Sequence, residues 1–474
     1  MTQNVDENQV RRIVEAVVQQ VMEGGLTGNG RVGSISDGVF PTVEAAVDAA
    51  TRAQRELLHL NLEQRRAIVE ALRAATRANA EDFSRRTLAE TGMGRLQDKI
   101  TKHINAAERT PGIEDLEAMS WTGDHGLTVV EMAPIGVVGA VTPSTHPVPT
   151  MANNAICLIA AGNAGVFNVH PGAREVSVHA ARVLNQAIVA AGGPPNLIAV
   201  LEQPTIQSAQ ELFTHPGINV LLITGGPAVA RAAMQSPKKA IVAGPGNPPV
   251  VVDETANLEK AARNIIDGGA FDNNILCIGE KQVFVVDRVA DELKRLMVQY
   301  SAYELDGNQI EQLSGHAFVK NKEGHPVVNR ELVGRNACVL GERIGLHLEE
   351  SLRMLIGETG ADHLFVNEEQ MMPFLPIIRV PNVEQAIRAA LISEHGYRHT
   401  AIIHSRNIDN MHNMARVMDT TVFVKNGPSY AGVGIGGEGF GSFSIAGLTG
   451  EGITSPRTFT RQRRCALIDY FRIT

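Results

Sequence analysis

The chain has 474 residues, 44 % of them hydrophobic and 20 % charged, with 45 glycines, which describes a globular α/β protein of two or three domains and excludes a disordered or fibrous one. A formal charge of −8, with no basic block longer than Arg461-Gln462-Arg463-Arg464, argues against nucleic acid as a partner. Four scattered cysteines (Cys157, Cys277, Cys338, Cys465) show no CxxC pair and no zinc-type Cys/His spacing, so no metal site or disulfide framework is expected and the thiols read as reduced and cytosolic; no apolar run reaches the ~20 residues that span a bilayer, and no secretory signal is visible.

Residues 1–22 read as a short amphipathic helix, with Val10, Ile13, Val14, Val17 and Val21 on one side and Arg11, Arg12, Glu15, Gln19 and Gln20 on the other. The glycine-rich stretch 23–38 reads as a flexible linker that detaches it. Such a bare apolar face is covered either by its own domain or a sister subunit, or by another protein. From Pro41 to Arg109 the pattern is helical, with Asn61 and Gln64 spaced as a capping box, and these helices read as scaffolding. Gly126–Pro134 suits a strand that leaves the body as an arm.

From Ile135 onward strands and helices alternate: strands at Ile135–Val141, Ala164–Val169, Leu197–Leu201 and Asn219–Ile223, helices at Met151–Ala161, Glu175–Ala191 and Ser208–Phe213. This is the sequence form of a doubly wound parallel sheet. After the strand ending at Thr224, Gly225-Gly226 makes a turn and Pro227 opens a helix. Such a turn presents free N–H groups to a pyrophosphate, or is an ordinary βα turn. The rigid Gly244-Pro245-Gly246-Asn247-Pro248-Pro249 reads as a crossing between domains, followed by the strand Val250–Val252. A second α/β run contains the Cys277 segment, the strand-like Gln282–Val286, a helix at Ala290–Tyr300 and a turn at Glu368–Pro376; a β-like stretch at Thr458–Tyr470 closes the chain. Gly434-Ile435-Gly436-Gly437-Glu438-Gly439 satisfies GxGxxG but lacks a preceding strand and a following helix, so it reads as a loop with close backbone approach.

Cys277 follows two asparagines in Phe271-Asp272-Asn273-Asn274-Ile275-Leu276-Cys277 and precedes Ile278-Gly279-Glu280-Lys281. Taken alone it is either a buried small hydrophobe or a nucleophile. Glu280 and Lys281 read as a local ion pair or as solvated ends.

Several segments, in this order, resemble the aldehyde dehydrogenase superfamily and its CoA-acylating branch. They are Pro134-Ile135-Gly136-Val137-Val138 through Pro143-Ser144-Thr145-His146-Pro147, Gly162-Asn163-Ala164, Ile223-Thr224-Gly225-Gly226, Gly244 to Pro249, Phe271 to Lys281, and Glu368-Glu369-Gln370-Met371-Met372-Pro373. The resemblance implies an aldehyde dehydrogenase-like α/β fold. A Rossmann-like coenzyme domain (39–118 and 137–242) would be joined to an α/β catalytic domain (243–440) and a β oligomerisation arm (119–136 and 455–474).

The resemblance further implies Cys277 as the nucleophile, Glu369 at the cofactor ribose, and Thr142, Pro143, His170, Thr224, Gly225 and Gly226 around NAD. His399 matches a family histidine that is either an acid/base or a loop-ordering group. Relatives often carry Asn where this chain has His146, so the oxyanion is expected to rely on the Cys277 N–H with a donor from Thr145 or His146. An amide donates without titrating, whereas a histidine can titrate. The hydrolytic branch has a Glu-Leu-Gly-Gly motif where this chain has Val242-Ala243-Gly244-Pro245. A thioester on Cys277 therefore lacks a water-activating base and waits for coenzyme A.

A free thiol titrates near ~8.5, and a lowered value is expected for Cys277. The implied reaction oxidises a short-chain aldehyde, propionaldehyde by likeness to the microcompartment branch, to acyl-CoA with reduction of NAD. The implied assembly is a homodimer or homotetramer in the lumen of a bacterial microcompartment, with residues 1–22 on a shell protein. The alternatives are a hydrolytic semialdehyde dehydrogenase and a non-catalytic encapsulated scaffold.

Overall fold

The structure is a computed structural model that describes residues 37–474. The helix expected over 1–22, and the linker expected over 23–38 except its last two residues, lie outside the described residues.

In chain order the first strands are Val39–Phe40 (β1), Met119–Gly123 (β2), Gly126–Pro134 (β3), Val137–Thr142 (β4), Ala164–Val169 (β5), Ile198–Leu201 (β6), Val220–Thr224 (β7) and Lys239–Ala243 (β8). Six of them form a parallel sheet in the order β1-β6-β5-β4-β7-β8. Strands β4 to β7 are buried along their whole length because helices cover both faces, so they read as continuous apolar runs rather than alternating ones. The helix Pro147–Ala160 is buried on every side. It begins four residues earlier than the sequence pattern suggests, because Pro147 occupies a first-turn position where its missing N–H costs nothing. The strand expected from Ile135 starts instead at Val137. Gly136 is left-handed (φ +126°), and the Asn163 side chain holds Ile135 and Gly136 in a turn by accepting both N–H groups at 2.7 and 2.9 Å. The Asn61/Gln64 capping box forms with both bonds at 2.9 Å.

Further strands of the body are Pro249–Val252 (β9), Gln282–Val286 (β10), Ala302–Glu304 (β11), Phe318–Lys320 (β12), Pro326–Val328 (β13), Met354–Glu358 (β14), Phe374–Val380 (β15), Thr400–His404 (β16) and Val422–Lys425 (β17). Seven form a second parallel sheet, β11-β14-β15-β10-β9-β16-β17. Part of the turn expected over Glu368–Pro376 is thus strand, since Phe374 already pairs with Leu355. The Gly434–Gly439 motif is a loop: a Cβ on Gly437 would lie 2.2 Å from the Ala431 carbonyl oxygen, and the residues before it form a single 3-10 turn, Ser429–Val433.

β2, β3 and Thr460–Ile468 make a separate antiparallel sheet, with a nine-pair ladder running from Thr460 opposite Pro134 to Ile468 opposite Gly126. Among the described residues no helix is long and apolar enough to cross a membrane, and no group of three or more His, Cys, Asp or Glu could hold a metal ion.

Each large sheet has a place where neighbouring strands lead off in opposite directions. In the first, the chain steps from β4 outward to β5 and β6, then returns to lay β7 on the other side of β4. In the second, it leaves β9 for β10 and later places β16 on the opposite flank of β9. The linker Gly244–Pro248 carries the chain from the carboxyl end of β8 to the amino end of β9. The carboxyl rim of one sheet therefore meets the amino rim of the other.

Candidate active site

Four segments that enter adjacent strands of the second sheet bring the candidate residues together: Gly246 before β9, Cys277 before β10, Glu369 before β15 and His399 before β16. The Cys277 loop owes its shape to three consecutive left-handed residues, Asp272, Asn273 and Asn274 (φ +49°, +55° and +65°). Asp and Asn tolerate this region better than other side chains, and each is pinned. Asp272 accepts the Arg95 N–H at 2.7 Å, Asn273 accepts Arg95 Nε at 2.7 Å and donates to the Gly334 carbonyl at 2.8 Å, and Asn274 donates to the Glu280 carbonyl at 2.8 Å.

Glu280 and Lys281 are neither solvated nor paired with each other; both are fully buried. Lys281 Nζ runs under the loop and donates to the Asn274 carbonyl (2.7 Å), the Asn274 side chain and the Leu276 carbonyl (3.2 Å). Glu280 accepts the Ser429 N–H at 2.8 Å and its hydroxyl at 2.7 Å, and burial raises its carboxyl to about 7 against those bonds. Its carboxylate lies where only a glycine leaves room, since a Cβ on Gly268 would come within 2.2 Å of both oxygens. The need for a strand-entry loop with its carbonyls turned inward explains the correction: an inward carbonyl calls for a buried donor, and Lys281 supplies it.

The Cys277 thiol is pushed up to about 12, by burial and then by the charge of Glu369; Lys281 and the N–H groups of Cys277 and Ile278 pull the other way. This overturns the lowered value expected from sequence, because a half-buried sulfur beside a carboxylate outweighs one ammonium and two amides. Glu369 is itself raised by burial, opposed by Lys281 and by the Gly246 N–H that it accepts; Lys281 is lowered by burial, opposed by Glu369.

Gly246 is the hinge of this arrangement. A Cβ there would lie 2.4 Å from the Cys277 carbonyl oxygen and 3.0 Å from Cγ of His399, so the absence of a side chain lets the Cys277 backbone and the His399 ring pack against the same backbone position. The His399 N–H is accepted by Glu394 at 2.9 Å and Nδ1 meets Thr400 Oγ1 at 2.9 Å, while Nε2 is buried without a partner. Burial and then Lys281 push His399 down to about 4, so it is neutral near pH 7. With Nδ1–H donated to Thr400, Nε2 keeps a lone pair able to take a proton.

A second buried cluster holds the same loop from the other side. Lys102 Nζ lies 2.5 Å from Asp272 and 2.9 Å from the Thr145 carbonyl oxygen, and Lys99 Nζ lies 3.2 Å from Asp272. Burial alone would raise the Asp272 carboxyl, but the two ammoniums hold it below the usual range; Lys102 is pushed down to about 8 by burial. The helix Leu96–Arg109 is therefore more than scaffolding. Its buried face carries Lys99, Lys102 and His103, charged or polar residues at spacings where a core helix would place apolar ones, and that pattern was a usable signal of a site. His146 Nδ1 meets Thr145 Oγ1 at 2.9 Å, and burial followed by the charges of Lys102 and Lys99 holds the ring neutral. A histidine kept neutral shares with an amide the property of not titrating near pH 7.

The remaining cofactor candidates lie on the carboxyl rim of the first sheet at its reversal point, where open α/β sheets bind ligands. Thr142 ends β4 and its hydroxyl is buried without a partner; Pro143 follows it. Thr224 ends β7 and bonds Ser444 Oγ at 2.7 Å, Gly225 donates to the Ala243 carbonyl at 3.2 Å, and Gly226 caps the helix Pro227–Met234 with open space at its Cα. The orphan hydroxyl and the uncovered helix start fit a pyrophosphate. His170 is exposed past the end of β5 and accepts the Gly172 N–H at 3.0 Å. Val242 and Ala243 are buried β8 residues, so the place of the hydrolytic branch's glutamate holds only apolar side chains.

Residues 28–447 match the aldehyde dehydrogenase family. An acetylating acetaldehyde dehydrogenase, EutE, of Salmonella typhimurium is 51 % identical over 92 % of this chain and 93 % of its own. Among solved structures, a Rhodopseudomonas palustris propionaldehyde dehydrogenase with bound CoA and an acylated cysteine is 44 % identical, with a TM-score of 0.89 over 92 % of this chain and 99 % of that one. A propionaldehyde dehydrogenase from the fucose utilisation bacterial microcompartment of Clostridium phytofermentans is 44 % identical, with a TM-score of 0.90 over 92 % and 100 %.

Proposed function

The chain belongs to the aldehyde dehydrogenase family, and from that premise we propose that it is a CoA-acylating aldehyde dehydrogenase which converts a short-chain aldehyde to acyl-CoA through a thioester on Cys277. The observation that carries this reading is that the Cys277 backbone and the ring of a neutral histidine, His399, both pack against Gly246, with no carboxylate in 242–245 to activate water.

In this reading Cys277 loses its proton to solvent and its sulfur attacks the aldehyde carbon as the thiolate. The Cys277 N–H, with Thr145 or His146, donates to the oxygen that gains charge. Thr142, Pro143, His170, Thr224, Gly225 and Gly226 would hold NAD, with Glu369 at the ribose, and the bound nucleotide would supply the hydride acceptor. Val242 and Ala243 leave the thioester without a general base for water, and His399 Nε2 accepts the thiol proton of the incoming coenzyme A. Lys102 keeps the two halves of the site in register by bridging Thr145 and the Asp272 end of the nucleophile loop.

The substrate by this reading is propionaldehyde, supported by the two structural relatives; the EutE relative favours acetaldehyde as a second reading. We assign 39–118 with 137–242 to the coenzyme, 243–440 to catalysis, and 119–136 with 455–474 to assembly into a homodimer or homotetramer. The exposed Trp121, Ile468, Tyr470 and Phe471 support the last assignment. Residues 1–22 are assigned to a microcompartment shell protein and the enzyme to the lumen, supported by the microcompartment relative.

An NADH absorbance assay with product analysis tests the reading. Acyl-CoA should form only when aldehyde, NAD and coenzyme A are all present. Free acid made at full rate without coenzyme A would favour the hydrolytic alternative, and no NADH with either aldehyde would favour the scaffold.

A further inference from the structure

The second sheet has another rim, away from Cys277. Its winding reverses between β9 and β16, and at the carboxyl ends of those strands lies a cavity of about 280 Å³ lined by Asn257, Lys260, His404, Arg406 and Asn426. Crevices outside the carboxyl ends of strands at such a reversal are where open α/β sheets take ligands. In this protein the chemistry assigned above uses the amino rim of this sheet and leaves that crevice unused.

The groups around the cavity select for an anion. Lys260 and Arg406 come from different segments and are both exposed at the cavity. Asn257 caps the twelve-residue helix Leu258–Gly269 by accepting the Lys260 N–H at 3.1 Å, so the positive end of that helix opens at the cavity. His404, the last residue of β16, is 1 % exposed and its Nε2 has no hydrogen-bond partner. A buried polar nitrogen without a partner is rare and calls for a ligand or a water. Burial, and then the charge of Lys260, push His404 down to about 3, so it lines the cavity as a neutral ring.

The buried carboxylate of Asp253, the residue after β9, does not compete. It is already held by Thr255 N–H (2.9 Å), Thr255 Oγ1 (2.6 Å), Ser405 Oγ (2.5 Å) and Asn410 Nδ2 (2.8 Å). Asn426 is likewise used, clamping both backbone groups of Ser405 at 2.9 and 3.0 Å, and so forms a rigid wall.

We propose that this crevice is a second ligand site, separate from the nucleotide rim, which binds a phosphate group, with Lys260 and Arg406 supplying charge and His404 Nε2 a hydrogen bond to a phosphate oxygen. A cavity of 280 Å³ lies just below the ~300 Å³ at which pockets for drug-sized ligands begin, so the ligand is inorganic phosphate or a small phosphate monoester rather than a dinucleotide.

The test is calorimetric titration of inorganic phosphate into the full-length enzyme, saturated with NAD so that the nucleotide rim is filled, in a chloride buffer. One saturable site per subunit is expected. Lys260→Gln and Arg406→Gln should each weaken it about tenfold, His404→Gln should weaken it less, and NADH formation should stay unchanged for the two exposed-residue variants. Glycerol 3-phosphate in a parallel titration distinguishes the source: binding as tight as inorganic phosphate assigns the site to a terminal ester, and binding of inorganic phosphate alone assigns it to the free ion. Absence of saturable heat with either probe, or heat that survives the Lys260→Gln/Arg406→Gln double change, would overturn the proposal.

Discussion

The two rims that meet across Gly244–Pro248 are built from different materials. On the nucleotide side the groups are mostly backbone: the amides around Gly225 and Gly226, the start of the helix Pro227–Met234, and two threonine hydroxyls. On the catalytic side they are buried side chains that hold one another, with Lys281 under the loop, Glu280 on Ser429, and Asp272 between Lys99 and Lys102. Backbone donors survive a change of side chain. A buried ion that loses its partner does not, because its desolvation is no longer compensated. The comparison therefore predicts that substitutions on the two rims differ in what they damage.

The largest effect is expected for Cys277→Ala, which should lower CoA-dependent NADH formation by roughly 10⁴-fold or more while NAD affinity, measured by fluorescence titration, stays near that of the wild type. If NAD binding is lost as well, the rims are not separable. Next comes Asp272→Asn, which leaves two buried ammoniums without a counter-charge and should destabilise the fold by about 3–5 kcal/mol, read from the urea midpoint. Gly246→Ala places a methyl group against the Cys277 carbonyl and the His399 ring and should cost about 100-fold in kcat/KM through displacement of the reacting groups.

A pH experiment sharpens the catalytic half. Because the Cys277 thiol lies at about 12 in the free protein, the thiolate fraction grows as pH rises toward that value. Iodoacetamide alkylation of Cys277 should accelerate about tenfold per pH unit through neutral and mildly alkaline solution. A plateau near ~8.5 would mean that burial and Glu369 do not control this sulfur. The smallest effect is expected on the nucleotide rim. Thr224→Val removes one hydroxyl bond to Ser444 and should cost about 0.5–1.5 kcal/mol of stability and less than about tenfold in NAD affinity.

Much of the first sheet was legible because a parallel strand buried on both faces leaves a continuous apolar run. Ala164–Val169 falls where the pattern put it, and the other boundaries shift by a few residues for local reasons such as Gly136 and Pro147. The turn at Thr224–Gly226 was legible too, since a glycine turn before a proline-started helix is a local device. The cluster of Lys99, Lys102 and Asp272 was not, although a helix face with lysines in core positions hinted at it. Asp272 stands 173 residues from Lys99, and nothing in either segment names the other.

By itself, then, the sequence determined the alternation of strand and helix that winds the first sheet, the ordered motifs that single out the Cys277 segment as the candidate nucleophile and the absence of a carboxylate at 242–245, all of which depend on residues near one another in the chain. Only the tertiary structure decided the protonation of the site. Burial and the field of distant charges raise Cys277 and hold His146 and His399 neutral. Those terms depend on distance in space and on exclusion of water, which no spacing along the chain encodes.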